Sequence, residues 1–316
     1  MPRLLERTAS LLEGIDAQVE LDADIGSRTW FHVGGRADAL VSPRSVEALV
    51  TIAGRCHESG TPLRVLGSGA NLLIADDGVD GVVVHLDAAC FQKTEVADDG
   101  AAPIRAWAGV DLMKLVQDCA RLGRDGLAHL AGVPAMVGGA VTMNAGGAFG
   151  DTAQAVVRVG LLASDGTRRE IESRDVGFGY RHTRLPSGVI LYADLALTPG
   201  DPIAIRARVK EIFAYKSASQ PMADRSAGCM FRNPTDPATG QRTSAGKLID
   251  QAGLKGHAVG GAYVSQVHGN FIALREGGSA SDVLALVRAV QQRVLDRTGI
   301  NLEREVVVWS RQGEIP

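Results

Sequence analysis

Three side chains lie in sequence contexts where they could act chemically on a bound substrate. Arg181 follows Tyr180 in a glycine-flanked turn, so its guanidinium could hold a carboxylate through two hydrogen bonds. Cys229 lies between small and bulky residues, which could present its thiol as a proton donor at a loop tip. Glu305 faces an apolar strand end, where partial burial could tune a carboxyl group for acid chemistry.

Each of these residues also has a plainer interpretation. An arginine in a turn commonly forms a surface ion pair, and a lone cysteine commonly behaves as a small buried apolar residue. Glu303 fits the description given for Glu305 equally well. The seven histidines show no pairing or spacing that indicates a metal site or a catalytic triad.

Two glycine-rich tracts could bind a ligand through the backbone. The loop 67–71 follows a short strand, where small residues let several N–H groups point at one anion such as a pyrophosphate. It does not match a Rossmann fingerprint or a Walker A loop, and a tight turn is the alternative. Together, the loop 67–71 and the tract 131–147 indicate two backbone surfaces that close on a large, flat, phosphate-bearing ligand. Close helix packing against glycine is the alternative for the second tract.

The hydrophobic pattern predicts the elements that carry these residues. The first half contains a βαβ unit whose glycine-rich exit loop is 67–71, followed by an amphipathic helix. The predicted elements are strand 37–42, a helix capped by Ser45, strand 63–66, strand 81–86, helix 111–122, and strands 156–162 and 189–197.

The pattern changes near residue 200, where a domain boundary is predicted. Beyond it we expect helix 203–215, a turn-rich stretch, helix 245–252, strand-rich residues 262–274 and helix 282–298, which Gly299 ends. The last predicted element is a strand over 300–309 that places Glu303 and Glu305 on one face.

Composition excludes several classes of protein. The 316 residues are 45% hydrophobic and 22% charged, as in folded globular chains, and 38 of them are glycine. A net charge of −3 with a pI near 6.2 argues against nucleic-acid binding. We expect no membrane span and a cytoplasmic protein. The four cysteines have no metal-ligand or disulfide-framework spacing, so no metal is predicted.

Seven ordered motifs together resemble the UDP-N-acetylenolpyruvoylglucosamine reductase (UDP-N-acetylmuramate dehydrogenase, MurB) family, whose members are FAD enzymes of peptidoglycan precursor synthesis. The resemblance spans nearly the whole chain, and seven motifs in order are far more specific than any one of them. The carriers are residues 29–35 (TWFHVGG), 67–71, 132–147, 180–181, 227–234 (AGCMFRNP), 245–250 and 302–306 (LEREV).

The resemblance implies an α+β fold. It predicts a two-subdomain FAD-binding region of the vanillyl-alcohol oxidase (PCMH) type, followed by an α+β substrate-binding domain. The implied divisions are residues 1–88 for the first subdomain, 89–200 for the second and 205–308 for the substrate domain. The tail 308–316 is expected to pack on the first subdomain.

The resemblance also implies the cofactors. FAD is bound, with its pyrophosphate on the backbone of the first glycine-rich loop and its flavin against the second tract, and NADPH is the co-substrate. The implied FAD-binding residues are Gly67, Ser68, Gly69, Ala70, Asn71, Leu72, Gly132, Val133, Pro134, Gly138, Gly139, Asn144, Ala145 and Gly146.

The family's catalytic arginine and glutamate fall on Arg181 and Glu305, which favours Glu305 over Glu303. Its proton donor, usually serine, falls on Cys229; a thiol is a stronger acid than a hydroxyl and is still protonated at neutral pH, so the role is retained. The short stretch between Arg181 and Leu191 is similar to the subgroup that lacks a substrate-closing tyrosine loop. The substrate-binding candidates are Tyr180, Lys216, Arg232, Asn233 and Gln266.

The implied reaction is the reduction of UDP-N-acetylglucosamine enolpyruvate to UDP-N-acetylmuramate by a monomer. A related FAD oxidase that uses oxygen as acceptor is an alternative, which would produce peroxide and be indifferent to NADPH. A non-catalytic protein that senses a UDP-sugar or a flavin is a third possibility, which would bind ligand tightly with negligible turnover.

Overall fold

The computed structural model describes residues 2–96, 103–237 and 239–314. The helices are α1 (Pro2–Leu12), α2 (Val46–Ser59), α3 (Leu112–Arg121), α4 (Val137–Thr142), α5 (Ser173–Val176), α6 (Pro202–Ser219), α7 (Ala245–Gln251) and α8 (Ala280–Thr298). The strands are β1 (Ala17–Asp24), β2 (Arg36–Pro43), β3 (Leu63–Leu66), β4 (Leu72–Ile74), β5 (Val79–His85), β6 (Thr94–Glu95), β7 (Ile104–Trp107), β8 (Arg124–Asp125), β9 (Gly146–Gly147), β10 (Gly150–Asp151), β11 (Val156–Ala163), β12 (Arg168–Glu172), β13 (Gly188–Leu195), β14 (Thr198–Pro199), β15 (Ala258–Val259), β16 (Ala262–Val264), β17 (Ile272–Leu274), β18 (Val307–Ser310) and β19 (Gly313–Glu314).

The chain divides into two compact units that interleave along the sequence. Unit one comprises Met1–Asp22, Asp38–Ser68 and Gly81–Lys216, and unit two comprises Ala23–Ala37, Gly69–Asp80 and Ser217–Pro316. This division differs from the boundary expected near residue 200. Helix α6 buries Ile205, Ile212 and Lys216. The chain after residue 200 therefore stays in unit one as far as Lys216, the last buried residue of this helix.

Unit one contains two larger sheets, ordered β1-β2-β5-β3 and β12-β11-β13-β7-β6. In the first, β3 runs parallel to β5, and the two strands are joined by a crossover through residues 67–78 that contains β4. In the second, the described ladders of β11, β12, β13, β7 and β6 are antiparallel. Most residues of β2 and β5 are buried, which explains their nearly continuous apolar sequences.

Two of the predicted helices of unit one, the helix capped by Ser45 and helix 111–122, correspond to α2 and α3, and the predicted Ser45 cap is confirmed. Ser45 accepts a hydrogen bond from the Ala48 N–H through its side chain, and Asp111 accepts one from the Lys114 N–H in the same way. Their apolar faces join one core, to which α2 contributes Leu49 and Ile52. This core supports the strand ends from which the glycine-rich segments leave.

Unit two contains the sheets β15-β16-β17 and β19-β18-β4. Helix α8 packs its buried residues on this unit's core, begins at a capping box formed by Ser279 and Asp282, and ends at Gly299 with a φ of 69°. Strand β4 pairs in parallel with β18. Strand β18 thus pairs with a strand inside the range 1–88, the range on which the tail 308–316 was expected to pack.

The strand predicted over 300–309 is wrong in its first part. Regular pairing begins only at Val307, and Arg304 makes a single isolated bridge with Phe231. Leu302 and Val306 are buried, Arg304 between them is half-buried and Glu303 is exposed, so burial alternates as predicted although the regular pairing is interrupted. The hydrophobic pattern alone could not show this interruption, because the segment pairs with residues some 70 positions earlier in the chain.

Two further observations concern the whole described chain. The four cysteines form no disulfide among the described residues; Cys56 and Cys119 are buried, while Cys90 and Cys229 are half-buried. Among the described helices, none combines the length and the apolarity that crossing a membrane requires.

Candidate active site

The centre of the first glycine-rich loop requires a glycine. Gly69 has a φ of 67°, and a Cβ atom on it would lie 2.6 Å from the Arg28 carbonyl oxygen. The Trp30 N–H donates to the Gly69 carbonyl at 3.2 Å, which fixes the loop against the turn at residues 29–32. A side chain at position 69 would therefore displace this turn.

The same loop has backbone donors available for an anion. In the part of the chain that the structure describes, the N–H groups of residues 67–70 donate to no protein acceptor. Ser68 Oγ lies 3.4 Å from the Pro134 carbonyl, and a Cβ on Gly67 would lie 3.8 Å from Met136. The loop therefore lies beside the second glycine-rich tract, as the sequence predicts. A row of unengaged N–H groups fits a pyrophosphate.

The second tract contains α4, and its two adjacent glycines differ in their surroundings. Gly138 donates to the Ala108 carbonyl at 3.0 Å, and a Cβ on it would lie 3.0 Å from the Ala108 Cβ. Gly138 is therefore needed for close packing, the alternative that the sequence left open for the second tract. A Cβ on Gly139 would meet nothing within 4 Å, so this glycine leaves open space where a flat ligand could lie.

Arg181 occupies a strained turn. Gly179 and His182 close the turn with an N–H to carbonyl bond of 2.9 Å, and Arg181 has a φ of 62°, which is rare for a residue other than glycine. Its Nη2 donates to the Gly146 carbonyl at 2.8 Å, and its guanidinium lies 5.2 Å from the centre of the Tyr180 ring. Hydrogen bonding therefore fixes the direction of this cation.

Buried Asn144 supports this turn. Its side-chain Nδ2 donates to the Gly179 carbonyl at 3.0 Å, and its Oδ1 accepts from the Ala153 N–H at 2.9 Å. The sequence predicted Asn144 as a residue that binds the cofactor. In the structure its amide is engaged in holding the Arg181 turn.

Lys216 is buried close to the same tract. Its Nζ donates to the Ala131 carbonyl at 2.6 Å, and a Cβ on Gly132, whose φ is 74°, would lie 3.0 Å from the Lys216 Cδ. Burial, followed by the charge of Arg181, lowers the pKa of Lys216 to about 8. Unit one therefore gathers two cations, Arg181 and Lys216, beside backbone rich in glycine.

In unit two, residues 229–232 form a central segment with neighbours on both sides. On one side the Glu305 N–H donates to the Met230 carbonyl at 2.8 Å, and the Arg232 N–H donates to the Glu303 carbonyl at 2.9 Å. This pairing brings the motif that contains Cys229 next to the motif that contains Glu305, across more than 70 residues of sequence.

Asn270 holds the other side of the central segment. Its backbone carbonyl accepts from the Met230 N–H at 2.7 Å. Its side chain accepts from the Phe231 N–H at 2.9 Å and donates to the Phe231 carbonyl at 2.8 Å. The backbone of Cys229 forms an isolated antiparallel β-bridge with that of Phe271. Sequence reasoning missed Asn270, because an asparagine after a glycine is typical of an ordinary turn.

The remaining substrate candidates of unit two differ in their surroundings. The buried Nε of Arg232 has no hydrogen-bond acceptor among the described residues, so its guanidinium fits a bound anion. Asn233 is exposed and accepts from the Ala245 N–H at 3.0 Å. Gln266 is exposed, and its side chain lies over Gly256. Asn71 Nδ2 donates to the Glu305 carbonyl at 3.3 Å.

The other candidates are placed as follows. Leu72 is buried in β4, Ala70 is half-buried, and Val133 packs partly buried against the core of unit one. The Ala145 N–H donates to the Ala140 carbonyl at 2.8 Å. Unit one thus brings together Tyr180, Arg181, Lys216 and the second tract. In unit two, backbone pairing places the segment that contains Cys229 and Arg232 beside Glu305, Asn233 follows that segment, and Gln266 lies at Gly256.

The fold and this site define an FAD-binding protein with a separate C-terminal domain. A family model described as "FAD binding domain" matches residues 37–172. The model of the C-terminal domain of UDP-N-acetylenolpyruvoylglucosamine reductase matches residues 220–309.

Similar proteins identify the family. The reductase of Desulfosudis oleivorans is 41% identical over 302 residues, covering 92% of this chain and 94% of its own length. The reductase of Heliobacterium modesticaldum is 40% identical, covering 90% and 88%. The crystal structure of the Thermus caldophilus reductase (MurB) has a TM-score of 0.77 at 37% identity, covering 93% and 98%. The chain belongs to the UDP-N-acetylenolpyruvoylglucosamine reductase family.

Membership confirms the predicted family and the predicted α+β fold with an FAD-binding region. The residues present also fit FAD. Among the described residues, four consecutive N–H groups of the first loop have no acceptor, and Gly139 of the second tract borders open space. These two features supply what a pyrophosphate and a flat ring each require.

Replacing Asn270 tests how the central segment is held. We expect Asn270→Ala to lower the free energy of unfolding by about 2–4 kcal/mol, because it leaves the buried N–H and carbonyl of Phe231 without partners. Urea unfolding measures this change. Asn301→Ala, which removes an exposed amide, is the control and should cost less. Equal losses in the two variants would contradict the assignment.

Lys216 should make stability depend on pH. Its folded-state pKa is about 8 against an ordinary value of 10.5, so between these values the unfolded chain binds more protons and stability rises with pH. Between pH 8 and pH 10, Lys216 should raise the free energy of unfolding by about 2 kcal/mol. Urea unfolding of wild type and Lys216→Met at both pH values isolates it. A difference between the two proteins that does not change with pH would contradict the expectation.

Proposed function

We propose that this protein reduces the enolpyruvyl group of UDP-N-acetylglucosamine enolpyruvate to form UDP-N-acetylmuramate, a step of peptidoglycan precursor synthesis, with NADPH as reductant. Its relatives carry the name of this reductase. The observation that carries the proposal is the backbone pairing of the central segment with residues 303–305. This pairing places Cys229, a potential proton donor, and Glu305, a carboxyl group, on adjacent stretches of chain. We further propose a cytoplasmic monomer.

FAD, when bound, supplies the hydride that NADPH provides. The residues of this chain then have three tasks: to hold the nucleotide, to stabilise negative charge, and to deliver a proton. The first loop binds the FAD pyrophosphate through its N–H groups. Lys216 and Arg232 bind substrate phosphates, and Tyr180, Asn233 and Gln266 contact the rest of the substrate.

Addition of hydride to the terminal carbon of the enolpyruvyl group moves negative charge onto its carboxylate as an enolate. Arg181, whose guanidinium is already oriented by Gly146, stabilises this charge. Glu305 in its protonated form donates a hydrogen bond to the same developing charge. Groups that are oriented before the reaction are usually the largest source of transition-state stabilisation.

Cys229 completes the reaction by giving its proton to the carbon next to the carboxylate. One C–H bond then comes from hydride and the other from the thiol, and solvent restores the thiol proton. The half-buried position of Cys229 allows both contact with substrate and re-protonation.

Flavin absorbance under anaerobic conditions tests the activity. NADPH should bleach the FAD-loaded protein, and the enolpyruvyl UDP-sugar should then restore the colour. Bleaching that only oxygen reverses, with formation of peroxide, would instead identify an oxidase. Tight ligand binding without any bleaching would identify a non-catalytic protein.

Cys229 variants test the proton donor. Cys229→Ala should slow substrate-dependent recovery of flavin colour by about 10²–10⁴-fold, the usual contribution of a positioned acid, while bleaching by NADPH is unchanged. Cys229→Ser should retain recovery within about 10-fold of wild type, because a hydroxyl can donate the same proton. Equal rates in Cys229→Ala and wild type would remove the thiol from the mechanism.

The chain provides its own control for Glu305. Glu305→Gln should lower kcat by about 10²-fold, since an amide cannot supply an acidic O–H to the developing charge. Glu303→Gln, two residues away and exposed, should leave kcat within about 2-fold of wild type. Steady-state kinetics distinguishes the two variants, and the opposite ranking would assign the role to Glu303.

A further inference from the structure

Asn71, the last residue of the first glycine-rich loop, bonds to the segment that carries Glu305. Its side-chain Nδ2 donates to the Glu305 carbonyl at 3.3 Å, and its own carbonyl accepts from the Val307 N–H at 3.2 Å. The residue between these two positions, Val306, is buried. All these residues belong to unit two. The end of the loop is therefore tied to the chain at Glu305 and again two residues later.

A parallel ladder continues these contacts. Strand β4 begins directly after Asn71, and strand β18 begins two residues after Glu305; the ladder places Leu72 opposite Val307. All three residues of β4 are buried. Because the strands are parallel, the end of the loop and Glu305 enter the ladder from the same side. The position of one therefore sets the position of the other.

The far end of this ladder is also held. The Ala75 N–H donates to the Trp309 carbonyl at 2.8 Å. The carboxylate of Asp76 accepts from the N–H groups of Ala280 and Ser281, at 3.1 and 2.9 Å, where α8 begins. A shift of β4 along β18 would break these bonds, so the ladder gives both segments a fixed starting point.

Both backbone groups of Glu305 are engaged in this arrangement. Its N–H donates to the Met230 carbonyl at 2.8 Å, and its carbonyl accepts from the Asn71 amide. Regular pairing begins only at Val307, so these two bonds hold the residue where no ladder does. A residue whose N–H and carbonyl are both bonded has a defined backbone, which in turn defines the direction of its side chain.

We infer that Asn71 is a positioning residue for the reduction, because its amide orients Glu305. The inference rests on the proposed function, in which Glu305 donates a hydrogen bond to the developing enolate. Asn71 acts through Glu305, and the loop that binds the FAD pyrophosphate thereby also sets the carboxyl group. Loss of the amide should slow the substrate-dependent step and spare the reduction by NADPH, since only the former needs the carboxyl group.

Single-turnover kinetics of the FAD-saturated protein tests the inference through a double-mutant cycle. Asn71→Ala should slow substrate-dependent recovery of flavin colour by about 10-fold, with a change of less than about 2-fold in bleaching by NADPH. In a Glu305→Gln background, the same replacement should change recovery by less than about 2-fold, because the acidic group that Asn71 orients is already absent. Asn301→Ala, which removes an exposed amide from the same segment, is the control.

Hydrogen–deuterium exchange of the FAD-loaded protein without substrate gives a readout that needs no turnover. Asn71→Ala should speed exchange in the peptide that contains Glu305 by about 10-fold, and Asn301→Ala should not. Asn71→Ser, whose side chain is one bond shorter, should show the same selective effects with a smaller change in the loop.

Equal slowing of recovery in both backgrounds would overturn the inference, since Asn71 would then act independently of the carboxyl group. Unchanged recovery or unchanged exchange in Asn71→Ala would overturn it as well. Failure of NADPH and substrate to change the colour of wild-type protein would instead count against the proposed function, and the exchange measurement would still decide whether Asn71 orders Glu305.

Discussion

The central segment 229–232 has to be held in register on both of its sides, and the chemistry proposed for unit two depends on this constraint. Asn270 meets it on one side by pairing with both backbone groups of Phe231, and residues 303–305 meet it on the other. Since each neighbour comes from a distant part of the chain, neither motif is placed by local structure alone. Loss of either partner would leave buried polar groups unsatisfied and would free Cys229 or Glu305 from its position.

In unit one, the position of Arg181 depends on backbone conformations that most residues avoid. Arg181 adopts a positive φ, and Asn144, also at positive φ, ties its turn to the second glycine-rich tract. The hydrogen bond from Arg181 to Gly146 then fixes the guanidinium. Such strained turns persist because the surrounding contacts determine them, and they concentrate at functional sites. The buried ammonium of Lys216 lies beside them, stabilised by the Ala131 carbonyl.

Much of this arrangement could be predicted from the sequence, because local signals were strong. Ser45 and Gly299 mark helix ends by their own chemistry, and the small residues of the loop 67–71 predict a backbone that could hold an anion. Long-range pairing could not be predicted in the same way. Asn270 carries no sign of its partner 39 residues away, and the segment around Glu305 alternates like a strand although it makes only an isolated bridge there. The division into units was also beyond local reasoning, since three segments of unit one interleave with unit two.

The central claim is that a proton donor held in one position completes the reduction. Turnover in D₂O, followed by NMR of the product, tests this claim most directly. The account predicts deuterium on the carbon next to the carboxylate, in a single configuration, because a donor held in one position delivers its proton to one face of that carbon. A product with both configurations in equal amounts would contradict it, since that outcome requires protonation by free solvent.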